Sequence, residues 1–380
     1  MSWEKVKLGD VTDSCLGKML DQVKNKGEYQ PYLANVDVRW GSFDLENLSL
    51  MRFEASEQER YGLKYGDLVI CEGGEPGRCA IWKDQIPGMK IQKALHRVRV
   101  HDCVDYRYLY YWFLLAGKTG ELEQYFTGAT IKHMPGEKLK SVIITKPPIE
   151  VQRKIADVLW VYDDLIENNQ KQIKLLEEAA QRLYKEWFVD LRFPGHETTP
   201  IIDGIPEGWT EGTLVDLAVF KRGKTITKGQ VNEGNVPVVA GGLEPAYYHD
   251  TPNTDAPVIT VSGSGANAGF TRMYYTKVWA SDCSYIDVSV TQDIAWIYCF
   301  LKENKASIDS MQKGAAQPHV YAKDLNAMKV VVPCDSLMEQ FRTAAEPMFS
   351  KIGKLEMQIK MLTEARDRLL PKLMNGEIEV

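Results

Sequence analysis

One stretch of sequence occurs twice in this chain of 380 residues, always 186 positions apart and without a gap. The copies match as follows: Gly128-Ala129 with Gly314-Ala315, His133 with His319, Leu139 with Leu325, Pro147 with Pro333, Ile166 with Ile352, Gln172-Ile173-Lys174 with Gln358-Ile359-Lys360, Leu176 with Leu362, Glu178-Ala179 with Glu364-Ala365, and Arg182-Leu183 with Arg368-Leu369. A chain built as two copies of one unit can fold with an internal two-fold. That symmetry suits a target whose backbone has two-fold symmetry, and duplex DNA is the commonest such target.

Each copy contains an apolar stripe in which steps of four and three residues alternate, the a/d pattern of a coiled coil. The first stripe is Ile155, Leu159, Tyr162, Ile166, Asn169, Ile173, Leu176, Ala180, Leu183 and Trp187. The second is Phe341, Ala345, Met348, Ile352, Leu355, Ile359, Leu362, Arg366, Leu369 and Leu373. Each predicts a helix of roughly 40 residues, about 60 Å long. A generic dimerisation coil would need only one such helix, whereas two in one chain can pair with each other.

The connection between the helices predicts that they pair antiparallel, because about 140 residues separate them and suffice for one globular domain. Pro347 is predicted to mark the first turn of the second helix or a kink, and Pro371 its fraying end. Asn169 lies within the first stripe. It either fixes the register of the pair or faces water near a crossing, and the sequence leaves both open.

The fold class predicted is α+β, with two mixed α/β domains separated by two long antiparallel helices and related by a pseudo-two-fold. The boundaries are 1–147 for the first domain, 148–193 for the central helix, 194–204 for a linker, 205–333 for the second domain and 334–380 for the C-terminal helix. In each domain a β-branched run enters a glycine-rich loop and a second strand follows. The aromatic stretches 108–114 and 296–301 are interpreted as helical core.

Bulk properties narrow the function. The chain has 44% hydrophobic residues, and no apolar run in it could cross a bilayer. Its polar start predicts no secretory signal, and seven scattered cysteines predict reduced core residues of a cytoplasmic protein. A net charge of −6 does not fit a stand-alone non-specific nucleic-acid binder, so DNA contact would need local basic patches or partner subunits.

Candidate DNA contacts are basic or polar side chains in strands and loops. In the first domain they are Arg78, Lys90, Lys93, Arg97, Arg99, Thr130, Lys132 and His133. In the second they are Lys221, Arg222, Lys224, Ser262, Ser264, Asn267, Gln317 and His319. The basic strand near 97–99 could equally be a face exposed to solvent that does not contact DNA. The loop 263–269 could equally be a tight hairpin without a role in DNA binding. Neither glycine loop fits a nucleotide-binding motif.

Several segments resemble the specificity subunit of type I restriction-modification enzymes, in chain order and over essentially the whole length. They are 31–41, Lys185-Glu186-Trp187-Phe188-Val189-Asp190 with Phe193-Pro194-Gly195, Ile205-Pro206-Glu207-Gly208-Trp209, and 370–378. The resemblance implies that each domain binds one half of a bipartite, asymmetric DNA site. It also implies that the helices set the gap and dock two modification (methyltransferase) subunits, and that restriction subunits join the complex.

The resemblance further implies a non-catalytic chain without a metal or cofactor of its own. S-adenosylmethionine, ATP and Mg would belong to the partner subunits, and the assembled complex would be a DNA adenine methyltransferase and ATP-dependent endonuclease. No methyltransferase, Walker or zinc-protease motif occurs in the sequence, which argues against a fused enzyme. The alternative from another class is a coiled-coil scaffold that joins two protein-binding domains.

Overall fold

A computed structural model of the chain describes residues 3–21, 25–312 and 318–380. The strands of the N-terminal half are β1 (Glu4–Lys7), β2 (Thr12–Leu16), β3 (Glu28–Leu33), β4 (Val38–Arg39), β5 (Ser42–Phe43), β6 (Ser49–Phe53), β7 (Leu68–Cys71), β8 (Cys79–Ile81), β9 (Lys90–Ile91), β10 (Leu95–Val100) and β11 (Ile143–Lys146). Those that follow are β12 (Ile201–Ile202), β13 (Ile205–Pro206), β14 (Thr210–Thr213), β15 (Lys221–Arg222), β16 (Val236–Val239), β17 (Tyr247–His249), β18 (Val258–Ser262), β19 (Thr271–Tyr274), β20 (Trp279–Ala280), β21 (Cys283–Asp287) and β22 (Lys329–Val332).

The helices range from single turns to two long rods. They are α1 (Gln58–Tyr61), α2 (Tyr106–Thr119), α3 (Gly136–Ser141), α4 (Ile149–Tyr184), α5 (Leu214–Leu217), α6 (Ile294–Glu303), α7 (Lys305–Ser310), α8 (Ala322–Asn326) and α9 (Asp335–Met374). A π-helical turn, Lys185–Val189, continues α4. Helix α4 with this turn ends at Val189, within the region predicted over 148–193, and α9 ends at Met374, within the region predicted over 334–380.

The chain forms two compact units, and each contains one globular domain and parts of both long helices. Unit 1 comprises Met1–Ile166 and Lys360–Val380, and unit 2 comprises Glu167–Ile359. In unit 1 the order of the four-stranded sheet is β2-β10-β7-β8, and that of the three-stranded sheet is β6-β3-β9. Strands β1 and β11 form a separate antiparallel pair.

Unit 2 repeats the topology of these three sheets, although the short pair β4–β5 occurs only in unit 1 and the pair β12–β13 only in unit 2. Its four-stranded sheet has the order β15-β21-β18-β19, its three-stranded sheet the order β17-β16-β20, and β14 pairs with β22. In both three-stranded sheets one outer pairing is antiparallel and the other parallel. The two domains therefore share one arrangement of their main sheets.

In each unit the long helices pack antiparallel. In unit 1 the start of α4 shares a core with the end of α9, through Leu159 and Leu370. In unit 2 the end of α4 shares a core with the start of α9, through Leu176 and Ile352. Ile155, Leu159, Asn169, Ile352 and Leu355 of the predicted seam are buried. Ala180, Phe341, Ala345 and Leu373 of the two stripes are buried as well. The remaining stripe residues are half-buried: Tyr162, Ile166, Ile173, Leu176, Leu183, Trp187, Met348, Ile359, Leu362, Arg366 and Leu369.

Pro347 does not mark the first turn of the second helix, because α9 begins at Asp335 and continues through both prolines. A proline inside a helix removes one backbone hydrogen bond. Pro347 is exposed, so water can reach the carbonyl group that this loss leaves free.

The aromatic stretches lie in α2 and α6, and all their residues from Tyr108 to Leu114 and from Trp296 to Leu301 are buried. They form the centres of the two main cores, as predicted. The seven cysteines are free thiols, but Cys103 is exposed and so is not a core residue. Within the described residues, no helix is both long and apolar enough to cross a membrane.

Candidate nucleic-acid interface

The two domains present the same turn at the end of their first sheet strand. Gly17 N donates to Leu95 O over 2.9 Å, and Gly223 N donates to Cys283 O over 2.8 Å. A Cβ at Gly17 or at Gly223 would lie 2.3 Å from a carbonyl oxygen of the neighbouring loop, so only glycine fits either position. A lysine follows each glycine, as Lys18 and Lys224. These positions correspond in the two folds, although the 186-residue repeat does not include them.

The predicted strand–glycine loop–strand units are confirmed as the hairpins β7–β8 and β18–β19. In both, the loop after the first strand forms a single β-bridge with a histidine segment. Gly73 is bridged to His133, and Ser264 is bridged to His319. The two histidines are 186 positions apart, so the repeat maps onto one structural element in both domains.

In unit 1 these segments border a surface cleft of about 540 Å³. Its lining includes Glu72, Lys93, Thr127 and His133. The loop between Thr127 and His133 is closed by two backbone hydrogen bonds of 2.7 and 2.9 Å. Its tip is exposed and carries the predicted residues Thr130 and Lys132. The structure therefore brings Lys93, His133 and this loop together.

In unit 2 the corresponding surface holds a smaller cleft of about 200 Å³. It is lined by Arg222, Gly263, Asp282, Tyr321 and other residues of the same segments. Arg222 is largely exposed and lies 3.5 Å from Asp282 Oδ1. Lys221 and Lys224 are also exposed. Of these three cations, Arg222 lines the cleft, and Lys221 and Lys224 are its close neighbours in the sequence.

The polar residues of unit 2 that were predicted to contact DNA differ in how deeply their side chains are buried. Ser262 is buried, and Ser264 Oγ donates to Asp282 Oδ2. Asn267 is half-buried, and its Nδ2 donates to Gly241 O over 3.3 Å. The ring of His319 stacks on Tyr321, with centroids 5.8 Å apart. Gln317 lies outside the described residues.

Burial removes two predicted cations from the surface. Lys90 is 3% exposed, its Nζ donates to Gly88 O over 2.6 Å, and burial lowers its pKa. Arg97 is 8% exposed and donates to the carbonyl oxygens of Glu59 and Arg60 at the end of α1. The alternation of residues 96–101 predicts strand β10 correctly. On its basic face, however, Arg97 packs against α1 instead of facing solvent.

Two further predicted arginines are engaged within the protein. Arg99 forms a two-pronged ion pair with Asp67, with both N–O distances 2.8 Å. Arg78 donates to Glu75 Oε2 and to Asn35 O, each over 3.1 Å. Because these side chains are held by partners within the protein, they are less free to contact DNA than exposed, unpaired cations.

Sequence reasoning missed a surface that the repeat itself marks. In unit 2 a groove along the helices is lined by Leu175, Glu178, Ala179 and Arg182. Leu175 is 64% exposed, and the Arg182 side chain is 83% exposed. The equivalents in unit 1 are Met361, Glu364, Ala365 and Arg368, and Met361 is 63% exposed. Core packing does not require exposed residues to be identical in the two copies of the repeat. The identity of the exposed residues was therefore the signal from which this surface could have been predicted.

The described residues contain no cluster of three or more histidine, cysteine or acidic residues able to hold a metal ion. Their surface offers instead two loop-built clefts, of equivalent construction and different lining, and one repeated helix face. This combination is that of a two-part recognition protein.

Comparison with known proteins agrees with that class. The sequence profile of the type I restriction modification DNA specificity domain matches twice, over residues 1–178 and 206–342, and the chain belongs to this family. It is 30% identical to the type I restriction enzyme MjaIX specificity subunit of Methanocaldococcus jannaschii, over 83% of this chain and 78% of that protein. It is 20% identical to the HindI specificity subunit of Haemophilus influenzae, over 99% of each chain.

The fold also matches a solved structure, the S subunit of a type I restriction-modification system from M. genitalium. The TM-score is 0.58 at 19% identity, and the match covers 98% of this chain and 96% of that one. The two mixed domains and central helices expected from the sequence are thus the family's architecture. The chain is a DNA specificity subunit of a type I restriction-modification system.

Proposed function

We propose that each domain binds one half of a bipartite, asymmetric DNA site through its cleft, and that the helix pair sets the gap between the halves. The observation that carries this proposal is the common topology of two domains whose equivalent clefts have different linings. A shared scaffold with different side chains at the contact surface recognises different sequences in one geometry.

The contacts proposed for the first half-site are Lys93, Thr130, Lys132 and His133. For the second they are Lys221, Arg222, Lys224 and His319, with Ser264 and Asn267 behind them. The exposed cations contact phosphates and position the protein, and the polar loop residues meet base edges. Because the net charge is −6, partner subunits supply part of the phosphate clamp.

The repeated groove docks two modification subunits, one on each copy of the repeat. Leu175 and Met361 supply an exposed apolar anchor at the same position of each copy. The same three residue types surround this anchor in both copies: Glu178, Ala179 and Arg182 in unit 2, and Glu364, Ala365 and Arg368 in unit 1. Two surfaces on one chain that share a glutamate, an alanine and an arginine at equivalent positions fit two copies of one partner. Those subunits bring S-adenosylmethionine and the methyl transfer, while restriction subunits bring ATP, Mg and cleavage.

The test is to co-express the chain with its cognate modification subunit and to map methylated bases across genomic DNA. We expect an asymmetric motif of two parts with a fixed gap. The modification subunit alone is the control and should give no such motif. Equal methylation of all sequences would contradict the proposal. A stable complex that methylates nothing would favour the scaffold alternative.

A further inference from the structure

Glu72 and Gly263 occupy equivalent positions on the floors of the two clefts. Glu72 N donates to Ala94 O over 2.8 Å, and Met134 N donates to Glu72 O over 2.7 Å. In unit 2 Gly263 makes the matching pair of backbone hydrogen bonds, to Asp282 and from Val320, each 3.1 Å long. The first cleft therefore has a carboxylate where the second has no side chain.

The carboxylate of Glu72 has an acceptor that nothing in the described structure satisfies. Oε2 is buried and receives no hydrogen bond, while the side chain as a whole is 18% exposed. One candidate donor is His96 Nε2, 3.9 Å away. That nitrogen already lies 3.2 Å from Met134 O, and because a carbonyl oxygen only accepts, it carries its proton towards Met134. A carboxylate in the lining of a cleft that keeps unused acceptor capacity favours a ligand that donates a hydrogen bond.

The chemistry of duplex DNA limits which group can donate. Phosphate and deoxyribose oxygens within the backbone only accept, and phosphates repel a carboxylate. The donors that the major groove presents are the exocyclic amino groups of cytosine and adenine. Lys93 and His133 border the same cleft, and Lys93 can offset the repulsion by contacting a phosphate.

We propose that Glu72 determines one position of the half-site bound by the first domain, by accepting a hydrogen bond from an exocyclic amino group in the major groove. This inference rests on the DNA-binding function proposed above. The second half-site has no counterpart of this contact, because Gly263 stands in its place. Recognition there depends on other groups.

The experiment uses the full chain in complex with its modification subunit and compares wild type with Glu72→Gln and Glu72→Ala by methylation mapping. Glu72→Ala should lower discrimination at one position of one half-site by about tenfold to hundredfold, the usual worth of one such contact. The other half-site should not change. The control Glu121→Gln removes an exposed carboxylate of the same domain and should preserve the whole motif.

Glu72→Gln distinguishes the two bases. Glutamine keeps the shape of glutamate and pairs best with adenine. If the wild type selects cytosine, this variant should shift the position towards adenine. If the wild type selects adenine, it should retain adenine while Glu72→Ala loses it. Co-purification with the modification subunit verifies that each variant is folded, and the near-isosteric glutamine variant serves if the alanine variant is not.

The inference is overturned if folded Glu72 variants methylate the wild-type motif with unchanged discrimination at every position. A wild-type complex that yields no two-part motif would instead overturn the proposed function itself. The two failures are therefore distinguishable.

Discussion

Asn169 Nδ2 donates a hydrogen bond to Gln358 Oε1 across the helix pair, over 3.3 Å. Asn169 is only 7% exposed, so it lies within the seam and does not face water. Of the two interpretations that the sequence left open, this contact favours register fixing. A buried amide costs stability but pairs well in only one alignment of the helices.

Replacing Asn169 with leucine should therefore stabilise unit 2. The apolar side chain gains about 1.5–3 kcal/mol from burial, against about 1 kcal/mol for the lost hydrogen bond, so we expect a net gain of about 1 kcal/mol. Chemical denaturation of the free chain measures it. Asn168→Leu, at an exposed neighbouring position, should leave the unfolding midpoint almost unchanged. A lower midpoint for Asn169→Leu would show that the cross-helix contact outweighs burial.

Arg366, the polar exception of the second stripe, is held in unit 1 by Asp163 and Asp367. Tyr111 also donates its hydroxyl to Asp163. The Arg366 and Asp163 side chains are 13% and 20% exposed. Arg366→Met should therefore destabilise unit 1 by about 3 kcal/mol, since it leaves a mostly buried carboxylate unpaired. In thermal unfolding, adding Asp163→Asn should recover part of the loss, and no recovery would contradict the pairing.

The stability of unit 1 should fall as the pH drops from about 7.5 to about 5.5. Burial, opposed by weaker effects of Glu72 and of the Met134 carbonyl, lowers the pKa of His96 below its usual value. The unfolded chain then binds a proton at His96 near pH 6.5 that the folded chain does not, so acid favours unfolding. Denaturation midpoints across this range should vary less in His96→Gln. An equal pH dependence in both proteins would exclude His96 as its source.

The groove proposed to dock the modification subunits predicts that one chain binds two of them, one on each copy of the repeat. Ala179→Arg places a long cation in the groove of unit 2, and Ala365→Arg does so in unit 1. Each variant alone should bind one modification subunit instead of two, and the double variant none, as measured by light scattering of the purified complexes. Ala55→Arg, an exposed position of the first domain, is the control and should bind two. Two bound subunits in the double variant would place docking elsewhere.

Lys18 and Lys224 are equivalent in the two folds but differ in exposure. Lys18 is 3% exposed and paired with Glu57, whereas Lys224 is exposed. In the assembled complex, Lys224→Ala should weaken binding to all DNA sequences alike and reduce the slope of log K against log salt by about 1, without changing stability. Lys18→Ala should lower the unfolding midpoint instead. Equal effects of both variants on the salt slope would refute this assignment.

The sequence by itself determined the two-copy organisation and the long helices, because residues a fixed distance apart repeat the same apolar pattern. It also determined that the aromatic runs are core and that the glycine loops lie between strands. These features depend on local periodicity and on turn chemistry, which a single chain displays directly.

Tertiary structure alone decided which cations face outward. In the sequence, Lys90 and Arg97 are basic residues in polar surroundings just as Lys93 and Lys132 are, yet Lys90 and Arg97 are buried. Their burial depends on contacts with α1 and with the loop around Gly88. The alternation of residues along a strand does not show which element covers each face of the strand. The equivalence of Glu72 and Gly263 likewise follows from backbone hydrogen bonds between segments far apart in sequence. Such pairings arise only when the chain folds, because register between distant strands sets them.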